Sequence, residues 1–326
     1  MNLLLEPTGI VWSFSFEHPF ILWFQSLGGR GSFLFYLNNF FSIFGEEYFI
    51  ALLLGLIYWG LNKNIGEKVT FTVISGNVLN TLIKNIFCRS RPFNSVEEIQ
   101  NFRDVDGYSF PSGHSSGSSS LMGSIAWNYR QKRYKWLWII AIILPICVAI
   151  SRVYLGAHYP TDVIGGLLLG VIVIVLFELL YNVIPNKYYL YIGMAILGFC
   201  GFFYSTTSDY FTSYGMLVGF IFGVFFEQKI TKFSNTKIWW RIALRAIVGG
   251  GLFIGLNSLL KLPFSSLLND QHLWFERIYR VIRYATVTFV LWGVYPLLFN
   301  QAEKLWKKFG WIHDSQDVPQ EQTSEV

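Results

Sequence analysis

Stretches of about 20 mostly apolar residues recur along the chain, and they constrain its fold more than any other feature. A helix of ~20 such residues, with a range of ~17–25, crosses the hydrocarbon core of a bilayer. Nine candidate spans emerge, and they are Glu46–Asn62, Val69–Phe87, Gly113–Tyr129, Trp136–Arg152, Asp162–Val183, Lys187–Tyr204, Tyr214–Gln228, Trp239–Leu260 and Ile278–Leu298. We therefore predict an all-α, polytopic membrane protein with about nine transmembrane helices.

The composition supports a membrane protein rather than a soluble or a disordered one. Of the 326 residues, 53% are hydrophobic and only 14% are charged, whereas soluble domains carry about 25% charged residues. Cys88, Cys147 and Cys200 are single residues in or beside apolar runs, so they indicate neither a disulfide framework nor a zinc site. Met1–Pro7 contains no basic residue, and we expect no cleavable signal peptide.

Basic residues are concentrated in alternate gaps between the candidate spans. The gaps at residues 130–135 and 229–237 carry several Lys and Arg residues, whereas Phe93–Ser112 carries four acidic residues against Arg103. Because cytoplasmic loops are enriched in Lys and Arg, the pattern predicts an N-terminus outside and a C-terminus in the cytoplasm. The net charge of +5 is then a signal of topology, and we expect no nucleic-acid partner.

Three basic side chains fall at the predicted non-cytoplasmic ends of the spans. Lys84, Arg91 and Arg152 would together form a pocket for a dianion such as phosphate, because Arg offers forked donors and Lys a point charge. Ser112 and Gly113 open a predicted helix nearby, and the free N–H groups of a helix start also favour an anion. A lone interfacial Lys or Arg is more often a snorkelling anchor, so the joint pattern carries this interpretation.

Two histidines and one aspartate lie at the same predicted face. If the turn from His158 to Asp162 is helical, the carboxylate holds one imidazole N–H and leaves the other nitrogen free to attack. His114 is placed to protonate a leaving oxygen. The alternative for each histidine alone is a hydrogen-bonded structural residue. No carboxylate cluster indicates a divalent metal, and we expect no cofactor.

The order of these residues resembles the three signatures of the type 2 phosphatidic acid phosphatase and haloperoxidase-like superfamily. The matching segments are Lys84 followed after six residues by Arg91-Pro92, then Pro111-Ser112-Gly113-His114, then Ser151-Arg152 followed by His158 and Asp162. The resemblance implies a helical phosphatase core and a metal-independent reaction through a phosphohistidine. In that reaction His158 is the nucleophile, Asp162 orients it, and His114 is the general acid and then the base.

The resemblance also implies which residues bind the phosphoryl oxygens. These are Lys84, Arg91 and Arg152, assisted by Ser112 and the Gly113 amide.

Beyond the signatures, the nine-span layout is similar to that of the sphingosine-1-phosphate phosphatase and glucose-6-phosphatase branches. A late segment, Glu276–Tyr284, resembles the Arg-Tyr stretch in the last span of the sphingosine-phosphate branch. Arg280 and Arg283 of that segment, together with Asn80, are candidates for contacts with a substrate headgroup. The alternative for the two arginines, which we favour, is anchoring at the membrane interface.

The predicted organisation has four parts. Residues 1–45 form an interfacial N-terminal segment, with one extra span as the alternative, and residues 46–183 form the phosphatase core with all three signatures. Residues 184–299 form additional transmembrane helices, and residues 300–326 form a cytoplasmic tail that is expected to be disordered after Gly310.

These features predict an integral-membrane phosphatase that hydrolyses a lipid phosphate or lipid diphosphate on the non-cytoplasmic face. The membrane would be a bacterial plasma membrane, or the endoplasmic reticulum in a eukaryote. One alternative is a phosphotransferase that passes the phosphoryl group to an alcohol. Another is a phospholipid binder or transporter without chemistry, which would need the basic residues but not the nucleophile and base.

Overall fold

The computed structural model describes residues 9–130, 134–261 and 273–309, and in these ranges the chain is helical without a strand. One isolated bridge pairs Ile10 with Arg89. The all-α prediction is thus confirmed. The helices are α1 (Glu17–Ser26), α2 (Phe33–Ile43), α3 (Glu47–Gly55), α4 (Lys63–Phe87), α5 (Pro92–Ser95), α6 (Gly113–Asn128), α7 (Leu137–Tyr154), α8 (Pro160–Val183), α9 (Lys187–Phe199), α10 (Ser208–Phe226), α11 (Trp239–Lys261), α12 (Leu273–Phe289) and α13 (Leu297–Lys308).

Local side chains explain where three of these helices begin. The side chain of Asn62 accepts a hydrogen bond from the Ile65 backbone N–H and caps α4, and Ser112 caps α6 in the same way. Pro160 is the first residue of α8, a position at which proline's missing N–H and fixed φ cost nothing. The last two starts matter most here, because α6 and α8 begin at the candidate site.

The predicted core, residues 46–183, is a helical bundle in which α6 packs against α4, α7 and α8. Its serine-rich face lies in the interface with α8, where the two helices approach closely. A Cβ atom added to Gly170 would lie 2.6 Å from Cβ of Ser119, and one added to Gly166 would lie 2.5 Å from the carbonyl oxygen of Ser112. Glycine on α8 and serine on α6 therefore permit the contact that places both helix starts side by side.

The C-terminal helices belong to the same bundle. Helix α10 packs against both α4 and α12, and α11 packs against α3. Small residues again allow the closest contact, since a Cβ atom on Gly219 would lie 2.2 Å from the carbonyl oxygen of Ala285 in α12. Helix α13 begins at Leu297, so the predicted boundary between residues 299 and 300 falls inside a helix. The predicted disordered tail lies outside the described residues.

Within the described ranges, five helical segments are long and apolar enough to cross a membrane, and a sixth is counted if the bent pair α2 and α3 forms one span. The predicted count of nine is not confirmed, although each drawn span coincides with a helix. Helix α6 has only 16 residues and is rich in buried serine, and α9 has 13 residues. An interior helix such as α6 need not be apolar all round, whereas α9 is apolar but too short to be counted as a span.

Aromatic side chains on the first two helices are exposed, which fits the predicted interfacial position of residues 1–45. Trp23 on α1 and Phe33, Tyr36 and Phe40 on α2 all point outward. Aromatic residues are enriched where a membrane meets water. The interfacial position itself stays a prediction, as does the division of the chain into four parts.

Candidate active site

A polar cavity of about 270 Å³ lies where α3, α4, α6 and α7 meet the loop before α8. Its lining includes Lys84, Arg91, Gly113, His114, Arg152 and His158, together with Asn80 and the acidic residues Glu46, Glu47 and Asp209. The three signature segments, which are far apart in sequence, therefore meet in one place, as their order predicts.

His158 lies in the loop between α7 and α8 and is only 2% exposed. Its Nε2 is 3.3 Å from Nη1 of Arg91, and its Nδ1 is 3.4 Å from Oγ of Ser109. Because a guanidinium only donates hydrogen bonds, Nε2 accepts and Nδ1 carries the proton. Burial, followed by the positive charges of Arg91 and Arg152, holds the pKa of His158 well below its usual value. The imidazole is thus neutral, with its lone pair on Nε2, where Arg91 donates to it.

Asp162 lies behind His158 and does not line the cavity. Its carboxylate accepts hydrogen bonds from Ser109 Oγ, from Arg89 Nη1 at 2.5 Å and from the Tyr159 backbone N–H at 2.8 Å. The expected direct hydrogen bond to His158 is not formed, since Nδ1 and Oδ2 are 3.6 Å apart. The helical turn on which this hydrogen bond was conditional does not extend to His158, because α8 begins only at Pro160. Ser109 instead contacts both side chains.

Sequence reasoning missed a buried ion network that holds Asp162. Arg89 is fully buried, pairs with both Asp162 and Glu17 at 2.5 Å, and lies 3.9 Å from the ring centroids of Trp12 and Tyr159. The position of Arg89 inside the first signature, between Lys84 and Arg91, was the available signal. No sequence signal indicated Glu17, because it lies in the segment that was interpreted as interfacial.

The three predicted phosphate-binding cations differ in how they are held. Arg91 donates to the backbone carbonyls of Asp106, Gly107 and Ala157, which fixes its guanidinium beside His158. Lys84 Nζ lies 3.8 Å from a carboxylate oxygen of Asp209.

Arg152 is the third cation and is fully buried. Its Nη1 donates to Ser42 Oγ at 2.8 Å, while its Nε and Nη2 have no hydrogen-bond partner among the residues that the structure describes. Buried donors left unpaired cost free energy, and Arg152 lines the cavity, so its guanidinium is a candidate to bind an anion there.

His114 opens α6 and forms a pair that the sequence did not predict. Its Nε2 is 3.0 Å from Oε1 of Glu46, and the same oxygen is 2.7 Å from Nη2 of Arg103. A Cβ atom on Gly45 would lie 2.8 Å from Cβ of His114, so only glycine lets the start of α3 approach this closely. Glu46 was assigned only to the end of a candidate span.

The remaining predicted site residues are divided between the cavity and its surroundings. Gly113 and Asn80 line the cavity, and Asn80 Nδ2 donates to Ser116 Oγ at 3.1 Å. Ser112 is fully buried and does not line it, because its hydroxyl caps α6 and accepts from Ser115 Oγ. The direct phosphate contact expected of Ser112 is thus replaced by support of the helix start.

Arg280 and Arg283 are not among the residues that line the cavity. Arg280 pairs with Glu276 at 2.9 Å on its own helix, and the guanidinium of Arg283 lies 4.8 Å from the ring centroid of Tyr284. The headgroup contact and the anchoring alternative both stay predictions.

Comparisons with known proteins identify a family whose model covers the residues of the three signatures. Residues 68–188 match the model of the PAP2 superfamily, and residues 211–307 match that of the PAP2 superfamily phosphatase, transmembrane extension. The chain is 35% identical to an undecaprenyl-diphosphatase of Sulfolobus acidocaldarius over 41% of this chain and 64% of that protein, which is less than two thirds of its length.

Two further relatives span different parts of the chain. Undecaprenyl-diphosphatase BcrC of Bacillus subtilis is 33% identical over 41% of this chain and 70% of that protein. Sphingosine-1-phosphate phosphatase 1 of Rattus norvegicus is 25% identical over 82% of this chain and 72% of that protein. The core match, the extension match and the convergence of the three signatures lead to one conclusion: this chain belongs to the PAP2 superfamily, the superfamily that its sequence signatures resemble.

Proposed function

We propose that the protein is a membrane phosphatase that hydrolyses a lipid phosphate monoester or diphosphate through a phosphohistidine at His158. One observation carries the proposal: a neutral, buried imidazole lies in the same cavity as Arg152, whose guanidinium has two unpartnered nitrogens. A nucleophile beside unsatisfied cationic donors is the arrangement that phosphoryl transfer requires.

In the first step Nε2 of His158 attacks phosphorus, and the bond from phosphorus to the leaving oxygen breaks. Arg91, Arg152 and Lys84 stabilise the negative charge on the phosphoryl oxygens. Asp162, acting together with Ser109, orients the Nδ1–H of His158 and stabilises the positive charge that develops on its ring. His114 donates a proton to the leaving oxygen, which departs as an alcohol or as a lipid monophosphate.

In the second step a water molecule attacks the phosphohistidine, and the bond between phosphorus and Nε2 breaks. His114, now neutral, takes the proton from the water, so both histidines return to their starting states and inorganic phosphate leaves. Glu46 keeps His114 in place and stabilises its protonated form, which exists before the first step and again after the second. Glu46 is therefore a positioning residue in this scheme.

The lipid class of the substrate is supported by the family and by the membrane spans. The named relatives are an undecaprenyl-diphosphatase and a sphingosine-1-phosphate phosphatase, so the substrates that we propose for this chain are isoprenyl diphosphates, sphingoid-base phosphates and glycerolipid phosphates. We further propose that the cavity opens on the non-cytoplasmic face. The acid-rich loop Phe93–Ser112, which supplies Asp106 to the cavity lining, supports this orientation.

The test is phosphate release by the purified protein in detergent, without an added acceptor, from a panel of lipid phosphates and glucose 6-phosphate. We expect release from at least one lipid substrate and its loss in His158→Ala. His18→Ala is the matched control, because His18 lies 3.4 Å from the Tyr159 hydroxyl but does not line the cavity. Full activity in a folded His158→Ala variant would overturn the proposal, and release that requires an alcohol acceptor would favour phosphotransfer.

A further inference from the structure

A second, mainly apolar crevice of about 200 Å³ adjoins the polar cavity and shares Tyr48 with it. One wall is α3, which contributes Ala51 and Leu52, and the opposite wall is α11, which contributes Gly250 and Phe253. Tyr48 lines both the crevice and the cavity, and its ring centroid lies 5.9 Å from that of Phe253. An apolar compartment therefore begins where the phosphate cavity ends.

The depth of the crevice follows from the helix that forms its first wall. Trp59 closes the inner end, because a Cβ atom on Gly55 or on Gly249 would lie 2.3 Å from its ring. The seven residue-to-residue steps from Tyr48 to Gly55 span about 10 Å at a rise of about 1.5 Å per residue. The crevice thus runs from the site into the apolar part of the bundle, along the direction of α3.

The missing side chain at Gly250 keeps the crevice open. The nearest heavy atom to a Cβ built there is Cδ1 of Leu52, at 3.9 Å, so a larger side chain would enter the crevice. The next residue, Gly251, has nothing within 4 Å of such an atom and does not line the crevice. Two adjacent glycines on one helix therefore differ in this single respect.

We propose that the crevice holds a hydrocarbon chain of the lipid substrate while the phosphate occupies the polar cavity. This inference rests on the proposed function and assigns a role to α11, which lies in the transmembrane extension. The occupant follows from continuity, because a ligand that fills both compartments must be charged at one end and apolar at the other. In a membrane or micelle the chain is already out of water, so the crevice acts by positioning the phosphorus atom against His158.

The experiment compares two alkyl phosphates that share the same headgroup, dodecyl phosphate and ethyl phosphate, in wild type, Gly250→Leu and Gly251→Leu. We expect Gly250→Leu to lower kcat/KM for dodecyl phosphate by about tenfold or more, since a misplacement of about 1 Å costs up to about a hundredfold. Hydrolysis of ethyl phosphate by this variant, and of both substrates by Gly251→Leu, should match wild type. An unchanged ratio between the two substrates in Gly250→Leu would overturn the inference.

A binding measurement separates failure of this inference from failure of the proposed function. Dodecyl phosphonate, which is not hydrolysed, should raise the Tm of wild type and Gly251→Leu more than methyl phosphonate does, and this difference should vanish in Gly250→Leu. Equal stabilisation of all three proteins by dodecyl phosphonate would place the chain elsewhere, even if hydrolysis is observed. If Gly250→Leu is unstable, Gly250→Val replaces it in the same comparison.

Discussion

Nε2 of His114 lies 3.0 Å from Oε1 of Glu46, although 68 residues separate the two in the chain. Glu46 directly precedes α3, after the bend between α2 and α3, and His114 lies in the first turn of the serine-rich helix α6. The contact gives the proposed acid and base catalyst an ionic partner from outside the three signatures. The carboxylate offsets part of the cost that burial and the charge of Arg152 impose on the protonated imidazole, which must donate to the leaving oxygen.

Replacement of Glu46 by Gln should therefore weaken acid catalysis while the site still binds phosphate. We expect kcat for an alkyl phosphate to fall by about tenfold to a hundredfold. This loss is smaller than the whole contribution of a general acid, about 10²–10⁴, because His114 itself is retained. For p-nitrophenyl phosphate, whose leaving group needs little protonation, the loss should be much smaller. Glu47→Gln, at the neighbouring cavity residue, is the control, and equal losses with both substrates would contradict the role of Glu46.

Replacement of Arg152 by Lys should weaken the binding of oxyanions. The ammonium group of Lys is a point charge and cannot reproduce the forked pair of donors that Nε and Nη2 of the guanidinium provide. Because a hydrogen bond to a charged group contributes about 1.5–3 kcal/mol, we expect the inhibition constant of vanadate to rise by about tenfold to a hundredfold. Arg103→Lys, which alters a cation outside the cavity lining, serves as the control. Equal vanadate affinity in wild type and Arg152→Lys would exclude this contact.

The pH dependence of the reaction should reflect the neutral state of His158. Its pKa is held below the usual value by burial and by Arg91 and Arg152, so the imidazole stays neutral at pH 7 and protonates only at more acidic pH. As pH falls through this lowered pKa, Nε2 loses its lone pair and kcat/KM should decline. We expect a midpoint below about 6.5 that does not move between substrates with different phosphate pKa values. A substrate-independent midpoint above that value would show that the imidazole is not held neutral.

The close approach of α6 and α8 predicts a stability effect that is separate from catalysis. A side chain at Gly170 would meet Cβ of Ser119 at 2.6 Å, whereas Gly193 on α9 has nothing within 4 Å. Gly170→Val should therefore lower the free energy of unfolding by about 1–3 kcal/mol more than Gly193→Val does, through overpacking. The measurement is thermal unfolding of both variants in the same detergent, and equal Tm values would contradict the packing.

The meeting of Lys84, Arg91, His114, Arg152 and His158 could be predicted from sequence, because their order and types match three signatures that serve one reaction. Their partners could not. Ser109, Glu17 and Glu46 come from segments without any such pattern, and each reaches the site only through tertiary packing. The predicted count of nine spans is not confirmed for a related reason, since α6 is short and buries polar side chains, so length and hydropathy alone do not identify it as a span.

The central claim is that His158 becomes phosphorylated during turnover. The most direct test is to mix the protein with a 32P-labelled lipid phosphate, stop the reaction with alkali within the first turnovers, and map the label, because phosphohistidine survives alkali and is lost in acid. The account predicts an alkali-stable label on His158 in wild type and none in His158→Ala. A label on another residue, or the same label in His158→Ala, would contradict it.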